Sequence, residues 1–273
     1  MRKVHKGVLE IVKGKAIYNP SGKAGEYSYW AVNFYNGCSA DCEYCYCKKG
    51  PLKTVWSNKP SLKKTLIDEK TAMEIFKKEV DKNLESLREF GLFFNFTSDP
   101  FLPETIDLNL EAMRFCNEMD IPVKALTKQT WWIGAPLYMP PENVSIGYTL
   151  TGVDSVEPGA AENLNRIEAM EFLHSLGYTI FASIEPIIDF HDSLLMIIKS
   201  VRFVRHYKIG LLSGYKQKRC EVKHFLSRVN SFIKNTSTAT VYWKDSILKE
   251  AGIERESLPD CCVNRDYKFW GNK

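Results

Sequence analysis

Two kinds of hydrophobic pattern alternate along the chain. In "SLKKTLIDEKTAMEIFKKEVDKNLESLREF" (61–90) apolar side chains recur at helical spacing among strong helix formers, and Gly91 supplies the stop. The next residues, "GLFFNF", read as a short buried strand ending at "TSDP". The order then repeats: "DLNLEAMRFCNEMD" as helix, "IPVKALT" and "NVSIGYTL" as strands, "AENLNRIEAMEFLHSLG" as helix, and "YTIFASIEPI" as strand. "HDSLLMIIKSVRFVRHY" follows as helix, "KIGLLSG" as strand and "EVKHFLSRVNSFIK" as helix. Nearly continuous apolar strands separated by amphipathic helices predict an α/β fold, a parallel sheet covered by helices. Counting from "YWAVNFY" gives about six strands. Beyond Lys234, "TVYWKDSILKEAGI" predicts a strand and helix forming a cap.

An open or partly closed parallel barrel carries its function in the loops at the carboxyl ends of its strands. The cysteine-rich stretch "NGCSADCEYCYC" follows the first strand directly, and "TSDP", "TGVD", "EPIID" and "SGYKQ" hold the equivalent place after later strands. These polar segments are expected to converge on one rim. No internal repeat or flexible linker divides the chain. One core is expected at 29–236, with 1–28 as an N-terminal extension packing on the barrel and 237–273 as a C-terminal cap or extension.

The 273 residues, 44% hydrophobic and 26% charged, suit a compact body of enzyme size. Lys and Arg number 37 against 33 acidic residues. That excess is too slight for a surface that coats a nucleic-acid duplex, whereas a small anionic substrate needs only a few local cations. The start, "MRKVHKGVLEIVKGK", has no uninterrupted apolar run, so neither a secretory signal nor a membrane span is read there and a cytoplasmic setting is expected. In a reducing compartment the eight cysteines read as ligands or buried thiols rather than bridges.

Cys38, Cys42 and Cys45 follow the pattern C-x-x-x-C-x-x-C. Structural zinc commonly takes two separated pairs. Here the second pair is missing, because the adjacent Cys261 and Cys262 would chelate a tetrahedral ion poorly. Three thiolates on one loop suit a [4Fe–4S] cube with one iron left open for a non-protein ligand; zinc or plain buried thiols is the competing reading. Cys47 is a spare thiol beside the trio, and Cys116 and Cys220 read as small buried hydrophobes. His5, His174, His206 and His224 lack metal-ligand spacing, with His174 and His206 inside predicted helices. His191 and Asp192 open a helix that Asp192 is expected to cap.

The stretch "CSADCEYC" resembles the signature of the radical SAM superfamily. In that family the open iron is chelated by S-adenosylmethionine (SAM), whose reductive cleavage gives a 5′-deoxyadenosyl radical that abstracts hydrogen from an unactivated carbon. The resemblance implies a partial (β/α)6 barrel of the radical SAM type, a [4Fe–4S] cluster on Cys38, Cys42 and Cys45, SAM as cosubstrate, and an electron donor such as flavodoxin or ferredoxin. "YNPSGKAGEYSYWAVNFYNGCSADCEYCY", "TSDPFLPE" and "VEPGAAENLNRIEAMEFLHSLGYTIFASIEPIID" are similar, in order, to segments of the spore photoproduct lyase-like branch. By that resemblance Tyr44 packs against the adenine, and Ser98 and Asp99 meet the methionine amine. Asp99 before Pro100 equally reads as an Asx-type turn. Arg166 matches a helical arginine able to hold the SAM carboxylate, or is a solvated helix-face residue. Glu185, Thr149 and Thr151 are candidates for the ribose hydroxyls; Glu185 alternatively pairs with Arg166 or a nearby lysine.

For the substrate, "LTKQTWWIG" offers Lys128 for an anion and Trp131 and Trp132 for stacking on a flat heterocycle, or the indoles seal the barrel. In "SGYKQKR", Lys216 and Lys218 with Arg219 lead into a helix as a phosphate grip or a solvated loop. The expected substrate is a small nucleoside or nucleotide. Small single-domain members of the branch point to a lyase that releases queuine from queuosine 5′-phosphate. DNA photoproduct repair stands second, because the longer framework that holds duplex DNA has no counterpart here. A zinc- or cluster-containing nucleic-acid-binding or regulatory protein is the alternative of another class.

Overall fold

The computed structural model describes residues 11–134 and 140–270 of the chain, so His5 and the start of the expected N-terminal extension lie outside the described residues. Eight of the described strands form one sheet. In spatial order these are β1 (Ile17–Tyr18), β2 (Trp30–Val32), β5 (Leu92–Phe94), β6 (Val123–Thr127), β7 (Val144–Thr149), β8 (Thr179–Ile187), β9 (His206–Leu211) and β10 (Thr240–Trp243). β1 runs antiparallel to β2, and every pairing from β2 to β10 is parallel. The order is linear, so the sheet is the open barrel expected from the sequence. The segment read as a cap supplies β10, which extends the parallel sheet, followed by α7 (Asp245–Ala251). A short antiparallel pair, β3 (Tyr35–Asn36) with β4 (Ser61–Leu62), stands apart from the sheet.

The strands read as continuous apolar runs because both faces are buried. Trp30 and Val32 of β2, Leu92 and Phe94 of β5, and Ile180, Ala182 and Ile184 of β8 face the main core, which also includes apolar residues of the helices. The residues between them, Ala31, Phe93 and Phe181, form a second cluster on the inner face. Phe269 of the C-terminal segment completes it, with its ring 5.1 Å from Phe181 and stacked 4.7 Å from His206. Gly147 on β7 lies opposite Phe181, whose ring occupies the space a Cβ would need.

After the single turn α1 (Gly22–Gly25), four helices match predicted ones: α2 (Glu69–Phe90), α3 (Ile106–Glu118), α4 (Asn163–Ser175) and α6 (Arg219–Thr236). The predicted helix from residue 61 starts eight residues late. Ser61–Leu62 pairs with β3, and the Asp68 carboxylate then caps α2 by accepting from the Thr71 N–H. Gly91 ends α2 at φ 67°. α5 (Phe190–Ser200) is capped by Asp189, which accepts from the N–H groups of His191 and Asp192, so Asp192 is not the cap. α5 also stops short of His206, which belongs to β9 and is buried on the inner face, where burial and Lys208 hold its pKa well below the usual histidine value. No helix among the described residues is long and apolar enough to cross a membrane.

Two lysines also point inward. The Lys124 ammonium donates to Ser28 Oγ (2.7 Å) and the Phe90 carbonyl (2.9 Å) and sits 3.9 Å above the Trp270 ring. Lys208 donates to the carbonyls of Glu26 (3.0 Å) and Tyr27 (3.3 Å). Burial, reinforced by Lys244, lowers the Lys208 pKa from 10.5 to about 7. Below that value the folded chain holds a buried ammonium. Between it and the unfolded value the folded chain sheds a proton that the unfolded chain keeps, so stability rises with pH through this window. Urea unfolding from pH 6 to pH 10 should show that rise in the wild type and a flatter profile in Lys208→Met.

Candidate functional site

The carboxyl ends of the parallel strands surround one cavity of about 400 Å³. Its first wall is the cysteine loop after β2. Gly37, at φ 90°, permits that loop to approach 57–59 closely, because a Cβ would lie 2.5 Å from the Ser57 carbonyl oxygen. The Cys38 N–H donates to that same oxygen (2.9 Å). Lys48 closes the loop on itself by pairing with the Asp41 carboxylate (2.6 Å) and donating to the Asp41 carbonyl (2.9 Å). Asn33, buried at the exit of β2, accepts from the Phe96 N–H (2.6 Å) and fastens the loop region to the segment after β5.

The other side of the loop is held by the exit of β7. The Glu43 N–H donates to the Val156 carbonyl and the Gly159 N–H to the Ala40 carbonyl. The Tyr44 hydroxyl donates to Glu157, whose second oxygen accepts from Thr151 Oγ1 (3.1 Å) and pairs with Arg166 at 2.7 Å. Both charged side chains of that pair are fully buried. Arg166 also donates to the carbonyls of Ala161 and Thr149. Arg166 and Thr151 therefore lie behind the wall, and the helix-face arginine is an interior one.

Cys38, Cys42 and Cys45 all line the cavity, with Tyr44 and Cys47 beside them. Burial pushes the Cys38 thiol up to about 12, with Asp99 adding to the effect, and burial also raises Cys42. A hydrogen bond with Cys47 pulls Cys45 down to about 6, while Cys47 is pushed up by the same bond and by burial. Among the described residues no three Cys, His, Asp or Glu side chains meet as a single ion requires. A [4Fe–4S] cube makes no such demand, since each of three thiolates binds a different iron. The donor set, three thiols on one loop facing a common space, fits that group.

Asp99 adopts the Asx-type turn, with Oδ1 accepting from the Phe101 N–H (3.0 Å) and Thr127 Oγ1 (2.7 Å) and Oδ2 from the Lys128 N–H (2.8 Å). Burial raises its pKa despite these donors. Lys128 lies 5.6 Å over the Tyr44 ring; burial works against its ammonium, but Cys42 and Glu157 outweigh it and raise the pKa. Ser98 Oγ and Asn95 Oδ1 are buried at the cavity wall without a hydrogen-bond partner, and so is Trp56 Nε1. A polar ligand would supply partners for such groups.

The cavity is also lined by Thr149, Ser183 and Glu185, with three residues the sequence reading missed: Lys23, Tyr27 and Lys244. The Tyr27 hydroxyl lies 2.6 Å from Ser183 Oγ and donates to Glu185 Oε2 (2.8 Å), which also pairs with Lys244 at 2.9 Å. Glu185 is thus paired with a nearby lysine and not with Arg166. Lys244 also approaches Glu26 at 3.4 Å, and Lys23 donates to Ser213 Oγ (2.7 Å). Glu26 and Tyr27 lie in "GKAGEY", whose family pattern was visible without any indication of what it touches.

Four expected substrate residues fall elsewhere. Trp132 is buried in the core, stacked 4.0 Å from Phe101 with its indole N–H donating to the Gln129 carbonyl. Trp131 is 52% exposed on the turn Trp131–Gly134. Lys216 and Lys218 are exposed on the approach to α6, and Lys218 pairs with Glu221 across one helical turn (3.4 Å). None of the four lines the cavity. Aromatic lining comes instead from Tyr27, Tyr44, Tyr46, Trp56, Phe93 and Phe96.

No family model matches the chain. An uncharacterized protein of Methanocaldococcus jannaschii is 24% identical over 269 residues, which cover 94% of this chain and 98% of that one. Among solved structures, spore photoproduct lyase complexed with dinucleoside spore photoproduct superposes with a TM-score of 0.60 at 14% identity, over 82% of this chain and 79% of that one. A doubly substituted mutant of the lyase with bound AdoMet and the same dinucleoside gives 0.56 at 14% identity, over 78% and 76%. Streptococcus suis SuiB gives 0.55 at 10% identity over 82% of this chain, which spans about half, 51%, of SuiB. The likeness shows the fold, a partial barrel of the radical SAM type.

Removing Arg166 tests the anchor behind the cysteine loop. Arg166→Met leaves the Glu157 carboxylate buried without its cation and should lower unfolding stability by about 3–5 kcal/mol in urea titrations. Adding Glu157→Gln should recover part of that loss.

Proposed function

We propose that this protein is a radical SAM enzyme of the spore photoproduct lyase-like branch, acting on a small nucleoside or nucleotide. The observation that carries the proposal is the placement of Cys38, Cys42 and Cys45 on one wall of the cavity at the carboxyl ends of the parallel strands. Cys38, Cys42 and Cys45 would hold a [4Fe–4S] cluster. With SAM bound and one electron supplied, that cluster provides a 5′-deoxyadenosyl radical able to take hydrogen from an unactivated carbon.

The protein's own contribution is binding and exclusion of water. Tyr44 stands beside the cysteines as the adenine partner. Asp99 is fully engaged in shaping its turn, so Ser98 Oγ, which lacks a partner, is the better group for the methionine ammonium. Arg166 is committed to Glu157, which leaves Lys128 as the cation for the SAM carboxylate. Thr149 and Glu185 remain the candidates for ribose hydroxyls. A substrate phosphate would meet Lys23 and Lys49 at the cavity rather than Lys216 and Lys218. The specific activity we favour is release of queuine from queuosine 5′-phosphate, supported by the branch resemblance and by a lining that offers aromatic faces together with cations.

Anaerobic reconstitution with iron and sulfide should give a brown protein that forms 5′-deoxyadenosine from SAM with dithionite, measured by liquid chromatography and mass spectrometry. Cys38→Ala, Cys42→Ala and Cys45→Ala should each abolish the cluster absorbance and the cleavage, whereas Cys47→Ala should keep the cluster. Queuosine 5′-phosphate should turn over and dinucleoside spore photoproduct should not. Stoichiometric zinc without cleavage would remove the enzyme reading, and turnover of the photoproduct alone would replace the substrate.

A further inference from the structure

A second recess, of about 30 Å³, lies at the other end of the barrel. Lys124, the second residue of β6, is part of its lining, as are Ser28 and Phe90, which accept hydrogen bonds from the Lys124 side chain. These positions stand at the amino ends of β2, β5 and β6, whereas Thr127 and Lys128 at the carboxyl end of β6 line the large cavity. The C-terminal segment completes the recess with Arg265, Asp266, Lys268 and Trp270.

Three cationic side chains thus meet around one small space. Lys268 lies 5.2 Å over the ring of Phe90, the residue whose carbonyl takes a Lys124 hydrogen bond, so the two lysines flank a single residue. Among the described residues neither Lys124 nor Arg265 pairs with a carboxylate, and Lys268 reaches Glu89 only at 3.8 Å. Asp266 is the acidic residue of the lining, and its charge also acts on Lys208. Lys124 itself is 1% exposed, and burial together with the charges of Lys208 and Lys268 pushes its pKa well below the usual lysine value. A buried cation beside two more is relieved by a negative charge placed among them.

We propose that this recess binds a small inorganic oxyanion such as phosphate, held by Lys124, Arg265 and Lys268. The site is separate from the cysteine loop and does not rest on the proposed function. A single water needs on the order of 10–15 Å³ of such space, so the recess takes an ion and leaves no room for a nucleoside. The Arg265 guanidinium supplies a fork suited to two oxygens of one anion, and the lysines supply point charges. The bound ion would join β6 to the C-terminal segment, whose Phe269 packs on Phe181 and His206, and would stabilise the folded chain by mass action.

The test titrates sodium phosphate into the reconstituted protein by isothermal calorimetry, in chloride buffer at constant ionic strength, and should find a saturable site. Lys124→Met should weaken that binding at least about tenfold. Arg265→Ala/Lys268→Ala, which removes two exposed side chains and keeps Lys124, should weaken it at least about threefold. Lys23→Ala/Lys49→Ala, in the large cavity, should leave it unchanged. Hydrogen–deuterium exchange across residues 264–270 should slow with phosphate in the wild type and not in Lys124→Met. Absence of saturable binding overturns the proposal, as does binding that survives both Lys124→Met and Arg265→Ala/Lys268→Ala. Loss of binding in Lys23→Ala/Lys49→Ala would also overturn it, by placing the ion in the large cavity. Adenosine 5′-monophosphate that binds this recess more tightly than phosphate would overturn the inorganic occupant in favour of a phosphate ester.

Discussion

The buried carboxylate of Glu157 ties together three parts of the chain that are distant in sequence. It accepts from Tyr44 on the cysteine loop and from Thr151 at the exit of β7, and it pairs with Arg166 on α4. Two charges taken from water are tolerated only when their remaining hydrogen-bonding groups are satisfied. Arg166 meets that condition by also donating to two backbone carbonyls. The cysteine loop, which has little regular structure of its own, thereby takes its position from the barrel behind it.

The inner face of the sheet explains why the cavity has a floor. Alternate residues of β2, β5 and β8 point inward, and Phe269 from the C-terminal segment packs against Phe181 and His206. Lys124 and Lys208 are held among these rings by carbonyl and hydroxyl acceptors. Buried ammonium groups without a directly bonded carboxylate are costly. Their lowered pKa values record that cost, and cation–π contacts with Trp270, Tyr27 and Tyr242 partly offset it.

Two groups of residues in the cavity lining differ in chemistry. The cysteine wall has thiols, Lys128 and unpartnered polar atoms, as suits a place where a ligand must supply the missing partners. The Tyr27–Glu185–Lys244 group is internally paired.

Much of this could be read from the amino-acid order alone. Continuous apolar strands alternating with amphipathic helices determined a parallel α/β sheet, and the spacing of Cys38, Cys42 and Cys45 determined that three thiols share one loop, because both signals are local. The start of α2, the cap of α5 and the strand position of His206 depended on competition between neighbouring elements: Ser61–Leu62 found a pairing partner, and Asp189 reached the N–H groups first. Only the tertiary structure decided that Arg166 serves Glu157, that Trp132 belongs to the core, that Lys216 and Lys218 stay in solvent, and that Tyr27, Lys23 and Lys244 line the same cavity as the cysteines. The reason is physical: residue type and spacing fix what a side chain is able to bond, whereas the partner it meets depends on which distant segments the closing sheet brings within hydrogen-bond reach.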